Sequence, residues 1–430
     1  MVRLILAAVA STVCVHGAVA GVERRRQADI VAQWTGDIPV RTLASGASAP
    51  ELGEIAPRSV FVEGDFVRFE KVWARLERGE SIRIAVIGGS ITHGAFADYG
   101  APSGSVGNRW GDRFCAGWRR AFPNAKIDEI NAGVGATGSA IGSYRLKHDV
   151  LDKRPDVVVV EFSVNDDNGR KSAESYEGVV RQLLKAPDEI AVVLLGMVRK
   201  DGQSAQARHG EVARHYNLPF VSYRDALYPC VASGAIKWTD LSPDDVHPNV
   251  VGHAYAAALL NRHLASRYAA WKSSGSPSTP IAPLPSPLFG TRYEHGNFLG
   301  MTEVHVLKNE GFFPLNDICW GEGLACTNAA SRLLFEVEGS TVSILYRLGC
   351  KPFNWGKVDV SIDGKKVVRG LNCFRNLGWW YTPSLLLCRD KPGRHVVEIV
   401  ALSEKDDASN GYGCHLTGVL VSDYNGLQVK

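Results

Sequence analysis

The clearest strand in the chain is Asp156 to Phe162, where Val157, Val158, Val159 and Val160 stand in an unbroken row. A strand with no polar alternation has to be covered on both faces, and helices usually provide that cover. The flanking sequence supplies them. Further strands are expected near Ile82–Ile87, Lys126–Ile130, Ala191–Met197 and Pro219–Ser222, with helical stretches at Arg109–Arg120, Tyr144–Asp152 and Ala173–Lys185 between them. Ahead of the first strand, Phe69, Val72, Trp73 and Leu76 keep the spacing of one helix face, and Gly79 stops it. This alternation predicts a parallel sheet in a flavodoxin-like α/β sandwich of three layers.

Three segments fall at the ends of these strands, and a fourth lies beyond the last of them, ahead of a helix expected over Gly252–Leu264. Gly88-Gly89-Ser90-Ile91-Thr92 follows the first strand and places a serine at a strand's carboxyl end, where open α/β sheets put their ligand chemistry. Asn131 to Ser139 carries Gly133, Gly135 and Gly138, which let backbone pass close to a substrate. Glu161 to Asp166 leads to Asn165, whose amide can donate to an oxyanion. Asp244 precedes His247 by three residues, so its carboxylate can bond one imidazole nitrogen and leave the other facing Ser90. Each segment alone also reads as a plain turn. Together they form the part list for ester hydrolysis: a nucleophile, oxyanion donors and an Asp/His pair.

In this order the segments resemble the GDSL-like SGNH hydrolase superfamily, over roughly Val60 to Ala270, with Gly-Gly-Ser-Ile-Thr where many members read Gly-Asp-Ser-Leu. The resemblance implies Ser90 as nucleophile, His247 as general base, Asp244 as its orienter, and Asn165 with the Ser90 backbone N–H as oxyanion donors. The family's oxyanion glycine falls here on Ala136, next to Gly135. An alanine N–H can serve if its φ is negative, so the donor stays open between Gly135 and Ala136. The chemistry of this family needs no metal or cofactor.

The ends of the chain differ from its middle. Arg3, the apolar Leu4–Val13 and Ala18-Val19-Ala20 read as a signal peptide over residues 1–20, which implies secretion. Arg24–Arg26 suggests either a second cleavage site or a solvated basic stub. Residues 21–58 show no period and are expected to form an irregular extension before a hydrolase domain over 59–271. No later run reaches transmembrane length, and the net charge of +3 gives no case for nucleic acid. Cys14 lies in the signal, leaving Cys115 and Cys230 in the hydrolase and Cys319, Cys326, Cys350, Cys373, Cys388 and Cys414 beyond it. Even counts suggest disulfides, with Cys115 to Cys230 a guess from counting.

Ser273 to Pro287 holds five prolines and five serines, and residues 272–288 read as a semi-rigid linker. Beyond it, over 289–430, short alternating segments appear at Leu333–Val337, Thr341–Tyr346, Val358–Ile362, Val367–Val368, His395–Val400 and Leu416–Val421. Asp363-Gly364 marks a tight hairpin. This rhythm predicts an antiparallel β-sandwich. Trp320, Trp355, Trp379, Trp380 and Tyr381 either fill its core or, where exposed, stack on sugars.

The expected substrate is a small acyl ester, acetyl first, on carbohydrate. The alternatives are a lipase or lysophospholipase, which would want an apolar lid, and a non-catalytic wall-binding protein; a transferase would share the same residues. His93 is expected to be a polar turn residue, His209 and His215 solvated, and Asp166 and Asp167 weak candidates for a cation.

Overall fold

The structure, a computed structural model, describes residues 27–36, 38–103, 105–275, 280–349, 355–376 and 380–423. The expected signal segment, Arg24–Arg26, Cys350, Trp379 and the Trp380 side chain lie outside the described residues.

Six strands form the first sheet: β1 Val60–Val62, β2 Ile82–Gly88, β3 Ile127–Gly133, β4 Val157–Glu161, β5 Ala191–Gly196 and β6 Phe220–Ser222, in the order β1-β6-β5-β4-β2-β3. β2 to β6 run parallel, and the short β1 joins β6 antiparallel. The helices are α1 (27–35), α2 Leu52–Ser59, α3 Val67–Glu77, α4 Ser90–His93, α5 Trp110–Ala121, α6 Ser139–Asp149, α7 Arg170–Lys185, α8 Gln206–His215, α9 Tyr223–Ala232 and α10 Val250–Ser274. The valine row divides by parity. Val157 and Val159 pack with α3, α5 and α10, whereas Val158 and Val160 pack with α7 and α8, giving the three layers. Strand order reverses at β2, between β3 and β4, so a crevice opens at the carboxyl end of β2.

The extension over 21–58, expected to be irregular, contains α1 and α2 in its described part. Trp34 from α1 is fully buried, edge-on to Trp118, Phe122 and Tyr268 at 4.9, 5.3 and 5.4 Å. Gly36, Pro39 and Pro50 cut this stretch into pieces too short for a helical period to register.

Among the described residues the second half holds nine antiparallel strands: β7 Gly296–Leu299, β8 His305–Glu310, β9 Phe313–Asp317, β10 Gly321–Cys326, β11 Arg332–Leu348, β12 Lys357–Ile362, β13 Lys365–Asn372, β14 Trp380–Ala401 and β15 Cys414–Ser422. Two expected strands merge in β11, and a register shift between Gly339 and Thr341 explains the break in their alternation. The Asp363-Gly364 hairpin is present, with φ of 52° and 74°. Sequence pattern missed β7 to β10; all six residues of β8 are exposed, so it has no apolar face to detect.

Trp320, Trp355 and Tyr381 are buried rather than offered to a ligand. The guessed pair Cys115–Cys230 is not formed: Cys115 lies in the core beside Glu129, while Cys230 accepts a hydrogen bond from Arg58, and both are free thiols. Buried Cys326 and Cys414 stand opposite one another across β10 and β15.

The two halves share a core. Ile141 and Tyr144 of α6 pack with Tyr293, Trp320, Leu345, Tyr381 and Leu420. The buried Glu177 carboxylate accepts the Leu288, Phe289 and Gly290 N–H groups at 2.5, 2.7 and 3.2 Å, and buried Arg181 pairs with buried Glu294. Gln182 Nε2 donates to Ser143 O and Tyr293 O, at 2.8 and 2.7 Å. The segment read as a linker is therefore anchored over its described part: Leu284 packs on the hydrolase core, and Arg181 also donates to Pro285 O at 2.7 Å. A chain ending at Trp271 would leave Ile141 and Tyr144 uncovered, and would take from Glu177 its three N–H donors and from Arg181 its Glu294 partner, leaving both only Tyr216, a combination costing several kcal/mol. We expect that chain to aggregate or to melt well below the full-length protein, as differential scanning calorimetry would show; an equal melting temperature would mean that the interface contributes nothing to the hydrolase.

Candidate active site

The glycines before Ser90 meet a packing demand. A Cβ on Gly88 would lie 2.1 Å from Thr92 Oγ1 and 2.3 Å from Glu161 O, and one on Gly89 would lie 2.3 Å from Asn165 Oδ1. The chain can therefore turn from β2 into the one-turn α4 while Asn165 lies against the turn. Ser90, first residue of α4, has a backbone N–H with no intrahelical acceptor.

Beneath this turn lies Arg145 of α6, fully buried. Its guanidinium donates to Gly88 O at 2.9 Å, to Ala132 O at 2.7 Å and to Asp149 Oδ2 at 2.8 Å. It thus ties the ends of β2 and β3 together. Sequence offered no sign of this role, because a lone arginine in a helix ordinarily reads as a surface residue.

Ser90 Oγ lies 2.8 Å from His247 Nε2, and His247 Nδ1 lies 2.7 Å from Asp244 Oδ2. With its proton on Nδ1, the ring presents Nε2 as an acceptor to the serine hydroxyl. Asp244 Oδ1 accepts the Val246 and His247 N–H groups at 2.7 and 2.6 Å. Burial alone would raise the Asp244 carboxyl, but its bonds to the His247 ring and these two N–H groups outweigh that and hold its pKa below the ordinary value. Trp238 Nε1 donates to Asp244 O at 2.5 Å and Ser242 Oγ to His247 O at 2.6 Å, fixing the loop from behind. Neither residue stood out in the sequence.

On the other side, the Asn165 carboxamide oxygen is buried with no hydrogen-bond partner among the described residues. Ala136 has φ of 59°, so the negative φ required of it is not met. An alanine held there costs about 1 kcal/mol, while Gly135 has no positive φ. Asn131 is structural: it donates to Thr92 O at 2.9 Å and accepts the Gly133 N–H at 2.9 Å.

The acids and histidines near Asn165 are engaged internally. Asp166 Oδ1 accepts the Ser139 N–H at 2.9 Å, and Oδ2 lies 3.1 Å from His209 Nε2. Asp167 accepts the Gly169 N–H at 2.8 Å. His209, expected to be solvated, is fully buried and stacked on Tyr176 at 3.5 Å. His215 is half-buried, 2.8 Å from Ser286 O, and His93 is exposed. Among the described residues no group of three or more His, Cys, Asp or Glu could hold a metal ion.

A hollow of about 530 Å³ opens beside Asn165, lined by Asp167, Asn168, Arg199, Gln203, Ser204 and Arg224 among others. A larger one, about 1640 Å³, lies between the two halves, bordered by Lys147, Asp152 and Phe298, and contains none of Ser90, Asn165, Asp244 or His247. The smaller hollow borders Asn165 but none of Ser90, Asp244 and His247.

A serine hydroxyl, an imidazole and a carboxylate in hydrogen-bonded series, at the switch point of a flavodoxin-like sheet, can carry out nucleophilic attack on an acyl carbon. Comparison with known proteins names the class. The model of the GDSL-like lipase/acylhydrolase family matches residues 86–255. The crystal structure of a two-domain esterase (CEX) active on acetylated mannans is 30% identical, with a TM-score of 0.73, and the match covers 86% of this chain and 99% of that one. The same esterase co-crystallized with mannopentaose matches at 30% identity and TM-score 0.73, over 85% and 97% of the two chains. No curated protein sequence matches. The fold is that of a carboxylic ester hydrolase with a C-terminal β-domain. The chain belongs to the GDSL-like lipase/acylhydrolase family.

One group beneath the site titrates unusually. Glu161, at the end of β4 and fully buried, is pushed up to about 7 by burial, against the opposing bonds from Ser163 N–H and Oγ–H at 3.0 and 2.8 Å. A carboxyl neutral in the folded chain but ionised in the unfolded one above its ordinary pKa lowers stability as pH rises. That loss runs from about 4.5 to about 7 and amounts to roughly 3 kcal/mol. Glu161→Gln keeps the acceptor oxygen and removes the titration. We expect its melting temperature to fall less than that of wild type between pH 5 and pH 8; parallel curves would mean that Glu161 titrates normally.

Proposed function

We propose that this protein is an exported esterase that removes small acyl groups, acetyl first, from carbohydrate hydroxyls. The observation that carries the reading is the unbroken series from Ser90 Oγ through His247 to Asp244, with both links under 3 Å. Ser90 Oγ attacks the acyl carbon as its proton passes to His247 Nε2, and Asp244 stabilises the imidazolium. The Ser90 N–H, the Asn165 side chain and the Gly135 N–H receive the oxyanion. The tetrahedral intermediate expels the sugar oxygen, which takes the proton back from His247, and a water molecule then releases acetate by the same steps in reverse.

One observation supports a sugar as the alcohol: the similar two-domain esterase is active on acetylated mannans. Export is supported by the apolar run Leu4–Val13 ahead of Ala18-Val19-Ala20. In an oxidising compartment Cys414, which meets both Cys326 and Cys373, could bridge to either one.

Acetate release from acetylated glucomannan, xylan and pectin, measured beside p-nitrophenyl esters of increasing chain length, tests the substrate; the reading fails if long chains are preferred and no glycan yields acetate. Ser90→Ala should lower kcat by several orders of magnitude with the melting temperature unchanged. Asn165→Ala should lower kcat by about 10²–10³ with a small change in KM; a rise in KM alone would assign Asn165 to ground-state binding.

A further inference from the structure

The turn after α4 carries two aromatic rings that the folded chain does not use for its core. Phe96 is 48% exposed and Tyr99 57% exposed, with their rings edge-on at 6.3 Å. Phe96 also has φ of 58°, a conformation that bulky side chains rarely adopt. Strain and exposure together bring the folded protein no packing gain, and such outliers gather where a ligand binds. The Phe96 ring lies against the His247 ring, with centroids 5.8 Å apart.

The turn is held firmly. Gly94 and Ala95 N–H both donate to Ser90 O at 3.0 Å, and Tyr99 N–H to Phe96 O at 2.9 Å. Val250 N–H donates to Tyr99 O at 3.2 Å, and Asn108 Nδ2 to Asp98 Oδ1 at 2.8 Å. The rings are therefore fixed relative to both Ser90 and the start of α10.

Chemistry says which part of a substrate meets them. When the tetrahedral intermediate breaks down, the leaving oxygen must take its proton from His247 Nε2, so the alcohol bearing that oxygen sits on the His247 side. The oxyanion points instead toward Asn165. The wall on the His247 side is Phe96, continued by Tyr99. A pyranose presents a face of C–H bonds that packs on an aromatic ring while its hydroxyls remain in water.

Resting on the carbohydrate reading above, we infer that Phe96 and Tyr99 form a stacking subsite for the pyranose ring whose hydroxyl carries the acyl group, and that they set preference for sugar over simple alcohol esters.

The test compares wild type, Phe96→Gly and Tyr99→Ala on O-acetylated glucomannan oligosaccharides and on ethyl acetate. Phe96→Gly relieves the strained φ, so its melting temperature should hold or rise. Its ratio of kcat/KM on the oligosaccharide to kcat/KM on ethyl acetate should fall about tenfold or more, chiefly through KM, as for other stacked rings. Tyr99→Ala should shift the ratio in the same direction. An unchanged ratio, or an equal fall on both substrates with a lower melting temperature, would show that Phe96 merely props His247 and would overturn the inference. A loss confined to long-chain p-nitrophenyl esters would assign the rings to an acyl chain and overturn it as well. Wild type that cleaves ethyl acetate but no glycan would overturn the carbohydrate reading itself, an outcome separate from any effect of the variants.

Discussion

The site depends on one buried cation. Arg145 reaches under the sheet and holds Gly88 O and Ala132 O, so the strand leading to Ser90 and the strand leading to Gly135 and Ala136 end at a fixed separation. Burial works against its charge and lowers its pKa, with Asp149 opposing that effect. A lysine could not replace it, because a single ammonium cannot hold the forked geometry of two carbonyls and a carboxylate. The cation also points positive charge at the floor of a site where negative charge develops.

Behind Asn165 lies a second layer, made of acids rather than bases. Asp166 couples the end of the β4 loop to the first N–H of α6 and to His209 on α8, while Glu161 holds Ser163. Three segments distant in sequence are thereby locked around the residue whose amide faces the nucleophile turn. The Asn165 carboxamide oxygen is buried without a partner among the described residues; the group that could serve an oxyanion is the N–H donor of the same amide.

Where residues are set together by chemical type and motif order, the sequence pointed to the arrangement. The structure brings Ser90, Asp244 and His247 together as their types and order suggest and sets Asn165 against the nucleophile turn, and the valine row of β4 identified the sheet. Roles that arise only from long-range packing were invisible. Arg145 and Glu161 carry no local pattern, His209 reads as solvated until Tyr176 and Asp166 close over it, and Trp34 lies in a stretch whose helices are too short to show a period. The β-domain was legible where strands alternate and illegible in β8, which is exposed along its whole length. Ala136 is instructive in another way. Its type admits either sign of φ, and only the turn that Thr137 Oγ1 closes onto Val134 O at 2.7 Å accompanies the left-handed one.

Gly178 in α7 has a consequence for how such chains can change. A Cβ there would lie 2.4 Å from Tyr293 Cβ and 2.8 Å from Tyr293 O, so the helix of one half carries a notch shaped to the other. Neither half can drift alone at this contact. A larger residue at 178 has to be met by a displaced backbone at 293, which also moves Glu294 away from Arg181. The β-domain is thus no interchangeable attachment, and descendants of this chain would be expected to keep both halves together or to lose both.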